Sequence, residues 1–150
     1  FNINFIGLRF FTIYGEWGRP DMLIFKMFKS FFTNKKLNIN NFGNHYRDFT
    51  YIGDVIKIID KLINKKFIGH NIFNVCSNNP QNILKIIKFF QKKQKIKTKL
   101  IGLNKADVFK THGDNYKIKK FLKIKKFTSF SVGFNKTFIW YKKNFKKLKL

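Results

Sequence analysis

Asn4-Phe5-Ile6-Gly7-Leu8-Arg9-Phe10-Phe11-Thr12-Ile13-Tyr14-Gly15-Glu16-Trp17-Gly18-Arg19-Pro20-Asp21-Met22 decides how the rest of this chain reads. Asn4 to Phe11 is an apolar run with Gly7 inside it, which predicts a buried strand, and Thr12 to Pro20 behind it predicts a long loop. A strand of this kind belongs in a parallel sheet. Pro20 can take the first position of a helix and Asp21 its first turn; Leu23, Ile24, Met27, Phe28, Phe31 and Phe32 then recur at three and four spacing as far as Asn34.

Strand, polar loop and helix recur further along. Leu37 to Asn40 and Asp48 to Ile52 predict short strands around the turn composition Asn41-Phe42-Gly43-Asn44. Asp54 opens a predicted helix through Lys65, with Val55, Ile56, Ile58, Ile59, Leu62 and Ile63 on one face. Ile72 to Cys76 predicts a strand, and Ser77-Asn78-Asn79-Pro80 a cap and proline start for a helix reaching Gln91. Lys97 to Ile101 predicts a strand, Leu103 to Asn115 a loop, Tyr116 to Leu122 a short helix, and Gly133 to Phe145 a last amphipathic helix. With no repeat or flexible linker, residues 1–150 are expected to form one α/β unit.

The composition bounds the function. At 44% hydrophobic and 19% aromatic, with 21 Phe, the chain carries the apolar surface that a disordered basic tail lacks. Its net charge of +25 and pI near 10.3 make nucleic acid the alternative partner to weigh, with Phe and Tyr stacking on bases between Lys contacts to phosphate. The lysines are dispersed in pairs such as Lys92-Lys93, Lys125-Lys126 and Lys142-Lys143, interrupted by apolar residues at helical spacing. Solvated helix faces and a bias toward AT-rich codons explain them, and nucleic acid ranks as the weaker alternative. Only Arg9, Arg19 and Arg47 supply the planar guanidinium that suits bidentate recognition of carboxylate or phosphate. Arg9, inside the strand, is expected to snorkel or to form a buried ion pair. Arg19, between Gly18 and Pro20 ahead of a helix, suits an anionic ligand.

The single cysteine, Cys76, cannot form an internal disulfide, and His45, His70 and His112 lie outside any metal-ligand spacing, so no metal is expected. The apolar runs are too short to span a membrane and the start lacks a signal-peptide pattern, which leads us to expect a cytoplasmic protein without a membrane partner. The chain holds no GxGxxG turn, Walker loop or GxSxG elbow, and it reads as a piece cut from something longer.

Gly7-Leu8-Arg9-Phe10-Phe11-Thr12-Ile13-Tyr14-Gly15-Glu16-Trp17-Gly18-Arg19-Pro20-Asp21-Met22 resembles the LRFFTVYGPWGRPDM segment of nucleotide-sugar epimerases of the extended short-chain dehydrogenase class, UDP-glucuronate 4-epimerases in particular. Arg47-Asp48-Phe49-Thr50-Tyr51-Ile52 with Asp54-Val55 resembles their RDFTYIDDI. Phe73-Asn74-Val75 leading to Asn79-Pro80 resembles YNIGNSSP, Ala106-Asp107-Val108 with Thr111 and Asp114 resembles GDVxxTxAD, and Gly133-Phe134 with Trp140-Tyr141 resembles the closing helix. The resemblance runs in order from about residue 5 to 145. It implies an α/β fold, the C-terminal part of a Rossmann-type sheet with a small sugar-nucleotide subdomain. It also implies NAD as cofactor, a UDP-sugar as substrate, and a separate N-terminal half that carries the NAD-binding turn and the catalytic Tyr and Lys.

Carried over by position, Thr12 would line the sugar pocket and Tyr14 would stand beside the nicotinamide. Arg19 would face the uronate carboxylate, Arg47 the UDP diphosphate, and Asp107 would belong to the late nucleotide-binding segment. No residue of this chain is expected to be catalytic. Glu16 stands where the family has Pro, Gly53 where Asp or Glu is usual, Cys76 and Ser77 where Gly and Asn follow one another, and Ala106 at a Gly.

Overall fold

The computed structural model describes residues 3–102 and 107–148. Strands β1 (Phe5–Phe10), β2 (Thr12–Tyr14), β3 (Leu37–Ile39), β4 (Tyr46–Tyr51), β5 (His70–Val75), β6 (Pro80–Asn82) and β7 (Thr98–Leu100) alternate with helices α1 (Leu23–Thr33), α2 (Ile52–Ile63), α3 (Ile83–Gln91), α4 (Tyr116–Leu122) and α5 (Phe130–Asn144). Three small sheets result. β1 pairs with β5 in parallel, β3 with β7 in parallel, and β4 lies between a parallel β2 and an antiparallel β6.

Two apolar clusters hold these layers. One is aromatic: Phe28, fully buried, has the rings of Phe90, Phe134, Phe138 and Tyr141 with centroids 5.2 to 5.6 Å away, mostly edge to face or tilted. The other is largely aliphatic and joins Val55, Ile58 and Leu62 of α2 to Phe73 and Val75 of β5 and to Ile118 and Leu122 of α4.

Several local expectations need correction. The first strand is not buried: Phe5 and Phe10 are exposed, because β1 has a neighbour on one edge only. Arg9 is exposed and forms no ion pair among the described residues. The loop expected from Thr12 contains β2, and β4 begins two residues before Asp48, at Tyr46. Pro20 lies inside a turn closed by the Met22 amide on the Arg19 carbonyl (3.1 Å), so α1 starts only at Leu23. Pro80 pairs with Asp48 in the β4–β6 ladder, where an edge position tolerates a residue with no N–H. The cap of α3 is Asn82, whose Oδ1 accepts from the Lys85 amide at 3.0 Å. Helix α2 starts at Ile52, two residues ahead of Asp54, which lies in its first turn and does not cap it: the Asp54 carboxylate accepts from the Thr128 amide (2.7 Å) and hydroxyl (2.8 Å). This contact holds the approach to α5, which begins at Phe130 and not Gly133. Ala106 lies outside the described residues.

Candidate functional site

Strand alternation sorts β4 into two faces. Asp48 and Thr50 point to one and are fully buried; Arg47 and Phe49 point to the other. The Asp48 carboxylate accepts four hydrogen bonds, from the Ser77 amide (3.0 Å) and hydroxyl (2.7 Å), the Asn78 amide (3.1 Å) and the Gly113 amide (3.2 Å). Two distant segments, Ser77-Asn78 and the one around Gly113, are thereby tied to one strand. The sequence marked Asp48 only as part of a motif; nothing in its spacing reveals these partners.

On the opposite face, Arg47 opens onto a cavity of about 350 Å³ lined by Thr12, Lys26, Asn40, His45 and Asp107, among others. Thr12 pairs with Phe49 in the β2–β4 ladder, which sets its side chain over the same hollow. Arg47 is held in place before any ligand arrives: Nη1 donates to the carbonyls of Tyr46 (2.8 Å) and Val108 (2.5 Å), and Nη2 reaches the Asp107 carboxylate at 3.4 Å. The other Asp107 oxygen accepts from the Asn40 amide group at 3.0 Å. Thr12, Arg47 and Asp107, expected at the sugar and nucleotide positions, thus meet in one hollow. His45 and Asn40, missed from the sequence, complete it.

Arg19 and Tyr14 line a neighbouring hollow of about 390 Å³ with Phe10, Phe11, Glu16, Trp17 and Ile52. Arg19 donates through Nε to Asp21 at 3.0 Å and forms an ion pair with it. Both side chains are more than half exposed, so the pair is weak and replaceable. Tyr14 is buried, and its hydroxyl donates to the Phe130 carbonyl at 3.2 Å, so it presents its ring and not its hydroxyl. Burial, reinforced by Asp54, Tyr51 and Glu16, pushes its phenol far above the usual range. Glu16 accepts from the Tyr51 hydroxyl at 2.9 Å, and burial together with that contact raises Tyr51 to about 12.

Two glycines shape this loop. Gly15 has φ +151°, and a Cβ there would sit 2.1 Å from Ile52 Cγ2. At Gly133 a Cβ would come within 2.3 Å of the Tyr14 hydroxyl, so only glycine allows α5 to lie against β2. Trp17, at φ 58°, stacks edge-on against Trp140 of α5 at 5.1 Å.

Residues 1–76, half of the chain, match the model of the NAD dependent epimerase/dehydratase family. The chain belongs to that family. Over 146 residues it is 38% identical to an uncharacterized protein of Methanocaldococcus jannaschii, covering 96% of this chain and 44% of that one. It is 35% identical to a UDP-glucuronate 4-epimerase of Thermodesulfobacterium geofontis, over 95% of this chain and 44% of the relative. The structure of UDP-glucuronic acid 4-epimerase from Bacillus cereus, in complex with UDP-glucuronic acid and NAD, superimposes with a TM-score of 0.81. That comparison covers 91% of this chain and 44% of that one at 28% identity. The chain spans about half the length of the relatives it matches. The fold is the α/β architecture of the extended short-chain dehydrogenases, as expected.

The nucleic-acid alternative gains no support from these comparisons. No described lysine is buried, and three lie over rings of the two apolar clusters: Lys93 over Phe89 (4.8 Å), Lys65 over Phe121 (5.1 Å) and Lys117 over Phe73 (5.1 Å). Among the described residues no helix is long and apolar enough to cross a membrane, and no group of three or more His, Cys, Asp or Glu could hold a metal ion.

Proposed function

We propose that residues 1–150 are the sugar-nucleotide-binding portion of an NAD-dependent UDP-glucuronate 4-epimerase-like protein, and that this portion alone does not turn over. The observation that carries the proposal is the cavity in which Thr12, Arg47 and Asp107, drawn from three separate segments, converge beside a guanidinium already fixed by two backbone carbonyls. A fixed guanidinium loses little freedom on binding a diphosphate, and charge-assisted hydrogen bonds to phosphate are among the stronger kinds. Asp107 restrains Arg47 at a distance long enough, 3.4 Å, for a phosphate oxygen to displace it. Thr12 offers a hydroxyl to the sugar.

Arg19 holds the uronate carboxylate by exchanging Asp21 for it. The exchange is easy because both partners are solvated. This same pairing favours a second reading, a nucleotide-sugar epimerase or dehydratase with a neutral sugar, in which Arg19 stays with Asp21. The residues fit one end of NAD. Phe11, the Tyr14 ring and Ile52 form an apolar wall suited to a flat nicotinamide, while no Gly-rich turn for the dinucleotide phosphates is present in these residues. When bound, NAD would accept a hydride from sugar C4 and return it to the other face.

The catalytic Tyr and Lys would come from a separate N-terminal half, seated against the exposed rim of Phe5, Phe10 and Ile72 on the β1–β5 pair. One tyrosine–lysine pair of this chain has the YxxxK spacing, Tyr116 and Lys120 on α4. It borders neither hollow: Lys120 lies 5.9 Å over the exposed Tyr116 ring.

Calorimetric titration with UDP-glucuronate, UDP-glucose and UDP tests the reading. Preference for the uronate that falls in Arg19→Lys supports it. Equal, salt-sensitive binding of every polyanion, or formation of UDP-galacturonate by the purified chain, overturns it.

A further inference from the structure

We infer that His45 is a ligand-contacting residue of the Arg47 cavity and that its imidazole takes up a proton when a diphosphate diester binds there. The inference rests on the nucleotide-sugar reading and deepens it. His45 stands two residues before Arg47, and its backbone carbonyl takes the Ile83 amide at 3.0 Å, which continues the β4–β6 ladder by one step. Strand alternation therefore turns His45, Arg47 and Phe49 toward the same side, and all three line the cavity.

The residue is nine-tenths buried, yet Nδ1 has no hydrogen-bond partner among the described residues and no access to solvent. An orphaned polar atom of this kind is rare, because desolvating it without a partner is unfavourable. The bare position is best tolerated when Nδ1 is the lone-pair nitrogen and the other ring nitrogen carries the proton. Such a ring is poised to gain charge only when something in the cavity favours it.

The charged groups around the cavity state what that something is. Arg47 from β4 and Lys26 from α1 face it as cations, Asp21 ahead of α1 and Asp107 as anions; β2, β3 and α3 contribute Thr12, Asn38, Ile39 and Ile83 without charge. Burial first, then Arg47, lowers the pKa of the His45 ring, with Asp107 opposing. A diphosphate on Arg47 would cancel that cation and add negative charge beside the ring, so protonation becomes favourable on binding. Linkage then requires the reverse: affinity rises as the pH falls through the His45 pKa of the complex.

Titration of the whole chain with UDP-glucose reads this directly, since its diphosphate diester exchanges no proton near neutrality. In wild type the binding heat should differ between PIPES and Bis-Tris at pH 6.5 by a fraction of a proton taken up, and affinity should rise about threefold or more from pH 7.5 to 6.0. In His45→Gln and His45→Asn the two heats should coincide and the pH slope should vanish. The His45 ring resonances of the wild type, which need no variant, should titrate at higher pH with UDP-glucose than without. Binding without proton uptake, or uptake that survives both substitutions, overturns the role of His45 alone. No binding of UDP-glucose, UDP-glucuronate or UDP overturns it together with the nucleotide-sugar reading.

Discussion

The two apolar clusters differ in what surrounds them. The aromatic cluster around Phe28 is packed between α1, α3, α5 and the β2–β4 pair, and Phe49 and Ile83 carry it to the Arg47 cavity. The aliphatic cluster between α2, β5 and α4 is ringed by exposed apolar side chains, with Ile56, Ile59 and Ile63 on α2, Phe5 and Phe10 on β1, and Ile72 on β5. An enclosed core is self-sufficient, whereas an apolar rim of this kind marks a surface for a partner. The site-bearing part thus keeps its central rings buried, while the strand-pair side leaves several large apolar side chains open.

The largest effect should come from breaking the enclosed core. Phe28→Ala removes the ring at its centre and should cost about 3–5 kcal/mol, read by denaturant unfolding. Asp48→Ala comes next: it strands the Ser77, Asn78 and Gly113 amides in a buried place and should cost about 2–4 kcal/mol, with Asp48→Asn recovering only part. Arg47→Ala should cost about 1–2 kcal/mol of stability, because it takes a partner from the Val108 carbonyl and the Asp107 carboxylate, and should weaken UDP binding by about tenfold or more, since hydrogen bonds to charged groups contribute about 1.5–3 kcal/mol each. An equal loss in Lys92→Ala, which removes charge far from the cavity, would sink the assignment of that site.

The smallest effect on stability should come from the open side. Ile63→Lys, at a position 78% exposed, should change unfolding by no more than about 0.5 kcal/mol while lowering self-association in sedimentation. A large destabilisation there would erase the contrast between the clusters. Alkaline titration sharpens it further. Tyr51 is raised to about 12 and Tyr14 higher still, so the native state keeps both protons where an unfolded chain would lose them near pH 10. Their contribution is therefore intact below pH 10 and lost as the pH rises toward 12. Tyrosinate absorbance should show these two titrating only with unfolding.

Much of this was legible in the sequence because it is written locally. The apolar spacing of Leu23 to Phe32 placed α1, and the resemblance carried by the Gly7–Met22, Arg47–Ile52 and Ala106–Val108 stretches picked out Thr12, Arg47 and Asp107, which the fold brings to one cavity. What escaped is non-local. Pro80 looks like a helix start until Asp48 pairs with it from β4, and Asp54 looks like a helix opener until Thr128, far along the chain, claims its carboxylate. His45 carried no signal because its meaning is its orphaned nitrogen, and an absent partner leaves no trace in spacing. Arg19 reads as an anion contact in the sequence, and its pairing with Asp21 appears only once the turn at 19–22 has formed.

The contact between Trp17 and Trp140 has an optical consequence. They are the only two tryptophans of the chain, one on the Gly15–Gly18 loop beside Arg19 and the other on α5, with ring centroids 5.1 Å apart. At that separation their transitions couple, so circular dichroism near 230 nm reports the seating of the loop on the helix without any label. Trp17 is 75% exposed, so a ligand that closes over it shifts its emission to shorter wavelength. The molecule thus carries its own gauge for the rim of the Arg19 hollow, separate from every signal that comes from the Arg47 cavity.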